Sequence, residues 1–115
     1  VHKRPHIHEL AYFNIGRGFP KELMDGHWCY VLKDMGYKML VVPCTSIKKD
    51  STPANPIFEK DIKIKTDTHI THCRIQLSDI RSVDIQRLDL RKSFYQVLTS
   101  REDIIEFIEK NLFDK

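Results

Sequence analysis

The chain lacks paired cysteines: it has three, Cys29, Cys44 and Cys73, with no Cys-x-x-Cys spacing. An odd number without that spacing argues against a disulfide framework and points to free, mostly buried thiols in a reducing compartment. No apolar run approaches the roughly 18–20 residues of a membrane span, and nothing at the N-terminus looks like a signal peptide. Repeats, low-complexity tracts and domain linkers are absent too. The chain starts at Val1 rather than Met, so a start residue or short leader is expected before it. A cytoplasmic protein with no membrane partner is the expectation. Charge of one sign is also scarce: the net charge is +3, which is compatible with an anionic partner and does not demand one.

What is present is the balance of a globular domain. Its 115 residues are 41% hydrophobic and 30% charged, enough for one core and one domain spanning 1–115. His6–Phe13 alternates, with Ile7, Ala11 and Phe13 on one face and Leu10 and Tyr12 on the other, which predicts a first strand. Residues 14–26 hold three of the four glycines and a proline, the pattern of a long exposed loop. "HWCYVLK" and "YKMLVVP" read as strands joined by a turn at Asp34-Met35-Gly36. A second loop covers 44–56. Phe58–Ile64 reads as an outer strand with its lysines facing water. Thr71–Leu77 reads as a strand with Cys73, Ile75 and Leu77 inward and Arg74 and Gln76 outward. Residues 78–90 extend it and then make a helical turn near 84–88, and Ser93–Thr99 forms a last strand. Ser100 caps a C-terminal helix, with Glu102 and Asp103 in its first turn and Ile104, Ile105, Ile108 and Leu112 as its apolar stripe. The fold class is therefore mainly β with a C-terminal helix (α+β), a small curved barrel of six to seven strands.

Three stretches resemble the MazF/PemK family of toxin endoribonucleases, whose fold is an SH3-like barrel (MazF/PemK/CcdB-like) with a terminal helix. "LVVPCTS" (Leu40–Ser46) is similar to the family's apolar strand ending in Thr-Ser or Thr-Ala. "RIQLSDIRSVDIQRL" (Arg74–Leu88) matches its strand, polar pair, Ile-Arg-Thr-Ile-Asp and Arg-Leu. "HWCYVL" (His27–Leu32) sits where the family has Arg-Pro and a strand. The order of the pieces covers nearly the whole chain. The departures are specific. His27 stands in place of the family's catalytic arginine and Trp28 in place of its proline. The glycine-rich run before it is "KELMDG", which keeps Glu22 and Gly26. Gln76 and Ser78 occupy positions where some members carry a catalytic Arg and Asp, so that chemistry does not transfer. Arg81 matches an arginine that reads as structural. "PCTSIKK" also resembles the ToxN-like branch, which ends its strand in Pro-x-Thr-Ser-x-Lys.

Metal-free RNA cleavage needs a base for the 2′-OH, donors for the charged phosphorane and an acid for the leaving 5′-oxygen. Histidine as a residue type can serve as base or acid, and hydroxyls, backbone N–H groups and a lysine supply the electrostatic part. His27, Thr45, Ser46 and Lys48 form such a set if the short turn pairs the start of one strand with the end of the next. The competing readings are ordinary: a surface histidine, turn-forming hydroxyls and a solvated Lys48-Lys49 pair. Arg17, Phe19 and Lys21 in the long loop fit phosphate binding and base stacking, or simply an exposed loop. Lys49 and Gln76 join the RNA-contact candidates. His69 and His72, beside Thr68 and Thr71, form a second polar cluster in which one imidazole fits the missing acid. A zinc site from His6, His8, His69 and His72 is geometrically conceivable but lacks cysteine pairs or a carboxylate motif, so no metal or cofactor is expected.

The resemblance implies a toxin that cleaves single-stranded RNA (mRNA), works as a homodimer and is held by an antitoxin, either a protein or, if ToxN-like, an RNA. Tyr12, Trp28, Phe94 and Tyr95 are apolar surface in excess of one core, in keeping with a dimer. The rival from another class is a non-catalytic SH3-like module that binds nucleic acid or protein.

Overall fold

In the computed structural model residues 3–16 and 26–113 are described. The strands are β1 (Glu9–Asn14), β2 (Gly26–Asp34), β3 (Lys38–Ser46), β4 (Glu59–Lys65), β5 (Ile70–Gln76), β6 (Arg81–Asp84) and β7 (Tyr95–Val97), and helix α1 spans Arg101–Leu112. Single 3₁₀ turns at Leu77–Asp79 and Ile85–Arg87 flank β6. The sheet order is β2-β1-β7-β4-β5-β3-β6, and β2 also pairs with β3, so six antiparallel strands close into a barrel and β6 is an extra strand. This is the small barrel with a C-terminal helix that the strand pattern implies, and it fits the SH3-like form that the resemblance implies.

The β2–β3 hairpin forms where expected. Gly36 takes φ +87°, a left-handed conformation that glycine adopts without steric cost. The Asp34 carboxylate accepts the Gly36 N–H at 2.9 Å and pairs with Arg4 at 2.7 Å. β3 is the hub. One edge carries β2, and the other carries β5 and β6 in succession. Cys44 faces Ile75 and Val41 faces Arg81. The partner chain thus advances three residues further than β3, and the 3₁₀ turn Leu77–Asp79 absorbs the surplus.

Alternation along β1–β3 sends side chains into two cores. Leu10, Tyr30, Val42, Ile62, Ile75 and Val97 fill the barrel, with Ile104 and Ile108 of α1 packed against them. Ala11, Phe13, Cys29, Val31, Met39 and Val41 point to the other face, where Val83, Ile85 and Leu88 cover them. Ser100 caps α1 by accepting the Asp103 N–H at 3.2 Å.

Several boundaries differ from the sequence pattern. β1 begins at Glu9 rather than His6, because His8 has φ +69° and breaks the alternation, leaving Ile7 47% exposed. Leu112 is 47% exposed, so the buried line of α1 runs through Ile104 and Ile108, with Phe107 packed beside them. β7 keeps only three residues. β3 continues through Ser46, so Thr45 and Ser46 are strand residues and not turn formers. Arg74 and Gln76 do point away from the barrel, yet both are buried. Arg74 is forked onto Asp61 (2.7 and 3.3 Å) and reaches the Thr52 carbonyl at 2.8 Å, so the segment after β3 lies over it.

His8 is a conformational latch. Its N–H donates to the Val31 carbonyl at 2.8 Å, and its Nδ1 lies 2.7 Å from the buried Tyr30 hydroxyl. Burial, with the Arg101 cation nearby, lowers the His8 pKa from 6.5, and burial raises that of Tyr30 to about 12. As pH falls below 6.5 the unfolded chain takes up a proton before the folded one does, so stability declines there until the folded pKa is passed. Thermal melts of wild type and His8→Asn, which tolerates positive φ, are expected to differ most at pH 7 and to draw together as pH falls below 6.5. A gap that stays constant over that range overturns the role of His8.

Among the described residues no helix is long and apolar enough to cross a membrane.

Candidate functional site

The end of β3 gathers most of the chemistry-bearing side chains. The β2–β3 ladder stops at Cys29 opposite Pro43, and its register, carried on by two residues, sets His27 against Thr45. Pro43 has no N–H to extend the ladder. His27 is instead paired with Phe13 of β1. By alternation His27 shares a face with Cys29, and Thr45 shares it with Pro43. Trp28 and Ser46 turn to the barrel side. On its other edge β3 pairs Ser46 with Cys73, the neighbour of His72. The hydroxyl pair therefore stands between two histidine-bearing strands.

Two clefts adjoin this segment. The first, of about 250 Å³, is lined by Ser46, Thr71, His72, Trp28 and Tyr95 among others. The Trp28 and Tyr95 rings are stacked, with centroids 4.4 Å apart and planes at 26°, and Tyr12 meets Trp28 edge-on at 5.3 Å. Gly26 is needed here, since a Cβ at that position would overlap the Tyr12 ring. The second cleft, of about 380 Å³, is lined by Pro43, Ile15, Ser78, Asp79 and Arg81 among others. Arg81 is exposed, and its side chain has no hydrogen-bond or ion-pair partner among the described residues.

The candidates divide accordingly. Thr45, Ser46 and His72 line the first cleft; His27 does not. Lys48 and Lys49 are exposed just beyond β3, and the Lys48 N–H donates to the Ser51 hydroxyl at 2.9 Å. Gln76 is buried and donates to Glu59 at 2.9 Å and to the Thr45 hydroxyl at 3.4 Å, so its influence on the site runs through Thr45. The Asn55 N–H and then Gln76 hold the Glu59 carboxyl below its ordinary pKa, which keeps that acceptor ionised. His69 belongs to the β4–β5 turn, where its Nδ1 lies 2.8 Å from the Thr68 hydroxyl and 3.3 Å from that of Thr66. That leaves His72 as the histidine of this pair at the cleft. Arg17, Phe19 and Lys21 lie outside the described residues.

Trp28 and Tyr95, expected from the sequence as apolar surface in excess of one core, are half-buried against each other, and Arg81 lines an open polar cleft. Only the β2-β1-β7 neighbourhood reveals the stack; the Ile-Arg-Ser stretch was the signal for Arg81.

All three thiols are free and buried. Burial raises the Cys29 pKa to about 12, and burial with Cys73 alongside raises that of Cys44 well above its ordinary value, which keeps them poor nucleophiles. Among the described residues no cluster of three or more His, Cys, Asp or Glu side chains converges to hold a metal. No protein-family model matches the chain, and no curated protein sequence matches it significantly.

Proposed function

We propose that the chain is a MazF/PemK-like toxin endoribonuclease that cleaves single-stranded RNA without a metal, leaving 2′,3′-cyclic phosphate and 5′-hydroxyl ends. One observation carries the proposal: residues 43–46 wall two clefts at once, one with Arg81 and Asp79 and one with stacked aromatics, hydroxyls and an imidazole. A strand of RNA crossing the end of β3 would meet a phosphate ligand on one side and a stacking surface on the other.

In this mechanism the 2′-oxygen attacks phosphorus as its proton passes to one imidazole, and the bond to the 5′-oxygen breaks as the other imidazole returns a proton to it. His27 and His72 flank the reacting phosphate in those roles. Thr45, Ser46, Arg81 and Lys48 stabilise the charge on the phosphorane. By the same resemblance the partners are a second copy of the chain and an inhibiting antitoxin, a protein or, in the ToxN-like case, an RNA.

The test is incubation of the purified protein with a long single-stranded RNA in EDTA, with the ends mapped. Cleavage at defined sites with cyclic-phosphate ends is expected. RNA that is bound and left intact would instead identify a non-catalytic binding module.

A further inference from the structure

We propose that the cleft behind Ser46 is a pocket for one unpaired RNA base, resting on the endoribonuclease proposal and adding to it the residues that choose the cleavage site. Three observations converge. The first is size: about 250 Å³ lies below the roughly 300–1,000 Å³ of pockets for drug-sized ligands and suits a single flat ring.

The second is charge. Among the described residues no lysine, arginine, aspartate or glutamate lines this cleft, whereas its neighbour across β3 contains both Arg81 and Asp79. The charged groups thus lie in the neighbouring cleft, and an uncharged group belongs here. The inner surface is apolar, from Leu10, Ile64, Cys44 and Cys73, with the stacked Trp28 and Tyr95 as aromatic wall. A base is flat, apolar on its faces and polar only at its edge, which is the complement of that surface.

The third is unspent hydrogen-bonding capacity. Thr66 also lines the cleft, but its hydroxyl donates to the His69 carbonyl at 3.0 Å and accepts the His69 N–H at 3.3 Å. Ser46, Thr71 and His72 make no side-chain hydrogen bond among the described residues, and the Trp28 indole N–H likewise has none. These groups line the cleft and are free to meet the edge of an inserted base. Hydroxyls both donate and accept, so Ser46 tolerates any base edge. Thr71, on β5, is the residue that discriminates.

The chain has a single tryptophan, Trp28, so its emission reports on this cleft directly. The experiment titrates the full chain with 2′-O-methyl tetranucleotides, which cannot be cleaved, of each single base and of an abasic sequence. Saturable quenching is expected with at least one base and not with the abasic strand. Thr71→Val, which keeps shape and β propensity, should weaken that quenching about tenfold, the effect of one lost hydrogen bond, and shift the cleavage-site preference. Quenching that is equal for abasic and base-bearing strands overturns the pocket. Cleavage of RNA with Trp28 silent and with unchanged preference in Thr71→Val overturns the pocket and leaves the nuclease standing. Base-dependent quenching without any cleavage does the reverse. Neither signal overturns both.

Discussion

His27→Ala is expected to lower the RNA-cleavage rate by about 10²–10⁴-fold, the usual contribution of a positioned acid or base. The position follows from the hairpin: the turn at residues 35–37 fixes the β2–β3 register, which brings His27 to the Thr45 side of the barrel mouth. Folding should be untouched, since His27 belongs to neither core. His27→Gln keeps hydrogen bonding without proton transfer and should lose nearly as much. His72→Ala should lose a comparable factor. The double variant should fall by less than the product if the two imidazoles act in one concerted step. Melts that match wild type, alongside lost cleavage, separate chemistry from stability. Undiminished cleavage in His27→Ala removes it from the mechanism.

The second large effect is on stability. Ile104→Ala should destabilise the protein by about 2–5 kcal/mol, the range for a fully buried isoleucine or leucine truncated to alanine. For a domain of this size that lowers the melting midpoint by roughly 10–20 °C. Ile104 has 0% exposure and packs in the barrel core, and α1 at 12 residues is too short to be stable undocked. Leu112→Ala, one position of the same apolar stripe but 47% exposed, should change the midpoint by only a degree or two. Calorimetric melts of the two variants check this. Equal losses would mean that α1 docks through a different face.

The hairpin and the helix were readable because their signals are local. Asp34 and Gly36 specify the turn by their own hydrogen bond and conformation, and Ser100 caps α1 within four residues. The His8 break in β1 was not readable, since it depends on Tyr30 and Val31 of another strand. Alternation correctly aimed Arg74 and Gln76 away from the barrel but did not say what meets them there, Thr52 for Arg74 and Glu59 for Gln76. The candidate site divides in the same way. Thr45 and Ser46 are visible as a motif and His27 through the turn that follows it. Choosing His72 over His69 required the hydrogen bonds of the β4–β5 turn. The Trp28–Tyr95 stack joins strands distant in sequence, and no periodicity announces it.

The ring of strands is fastened unevenly. β7 joins β1 through two residue pairs and β4 through two more, whereas β4 and β5 share seven. A joint with few ladder pairs requires less free energy to open, so local opening of the barrel is expected first at β7 and its β1 edge. Tyr95 sits on that strand and shields Trp28. One fluctuation therefore both loosens the clasp of the barrel and bares its indole.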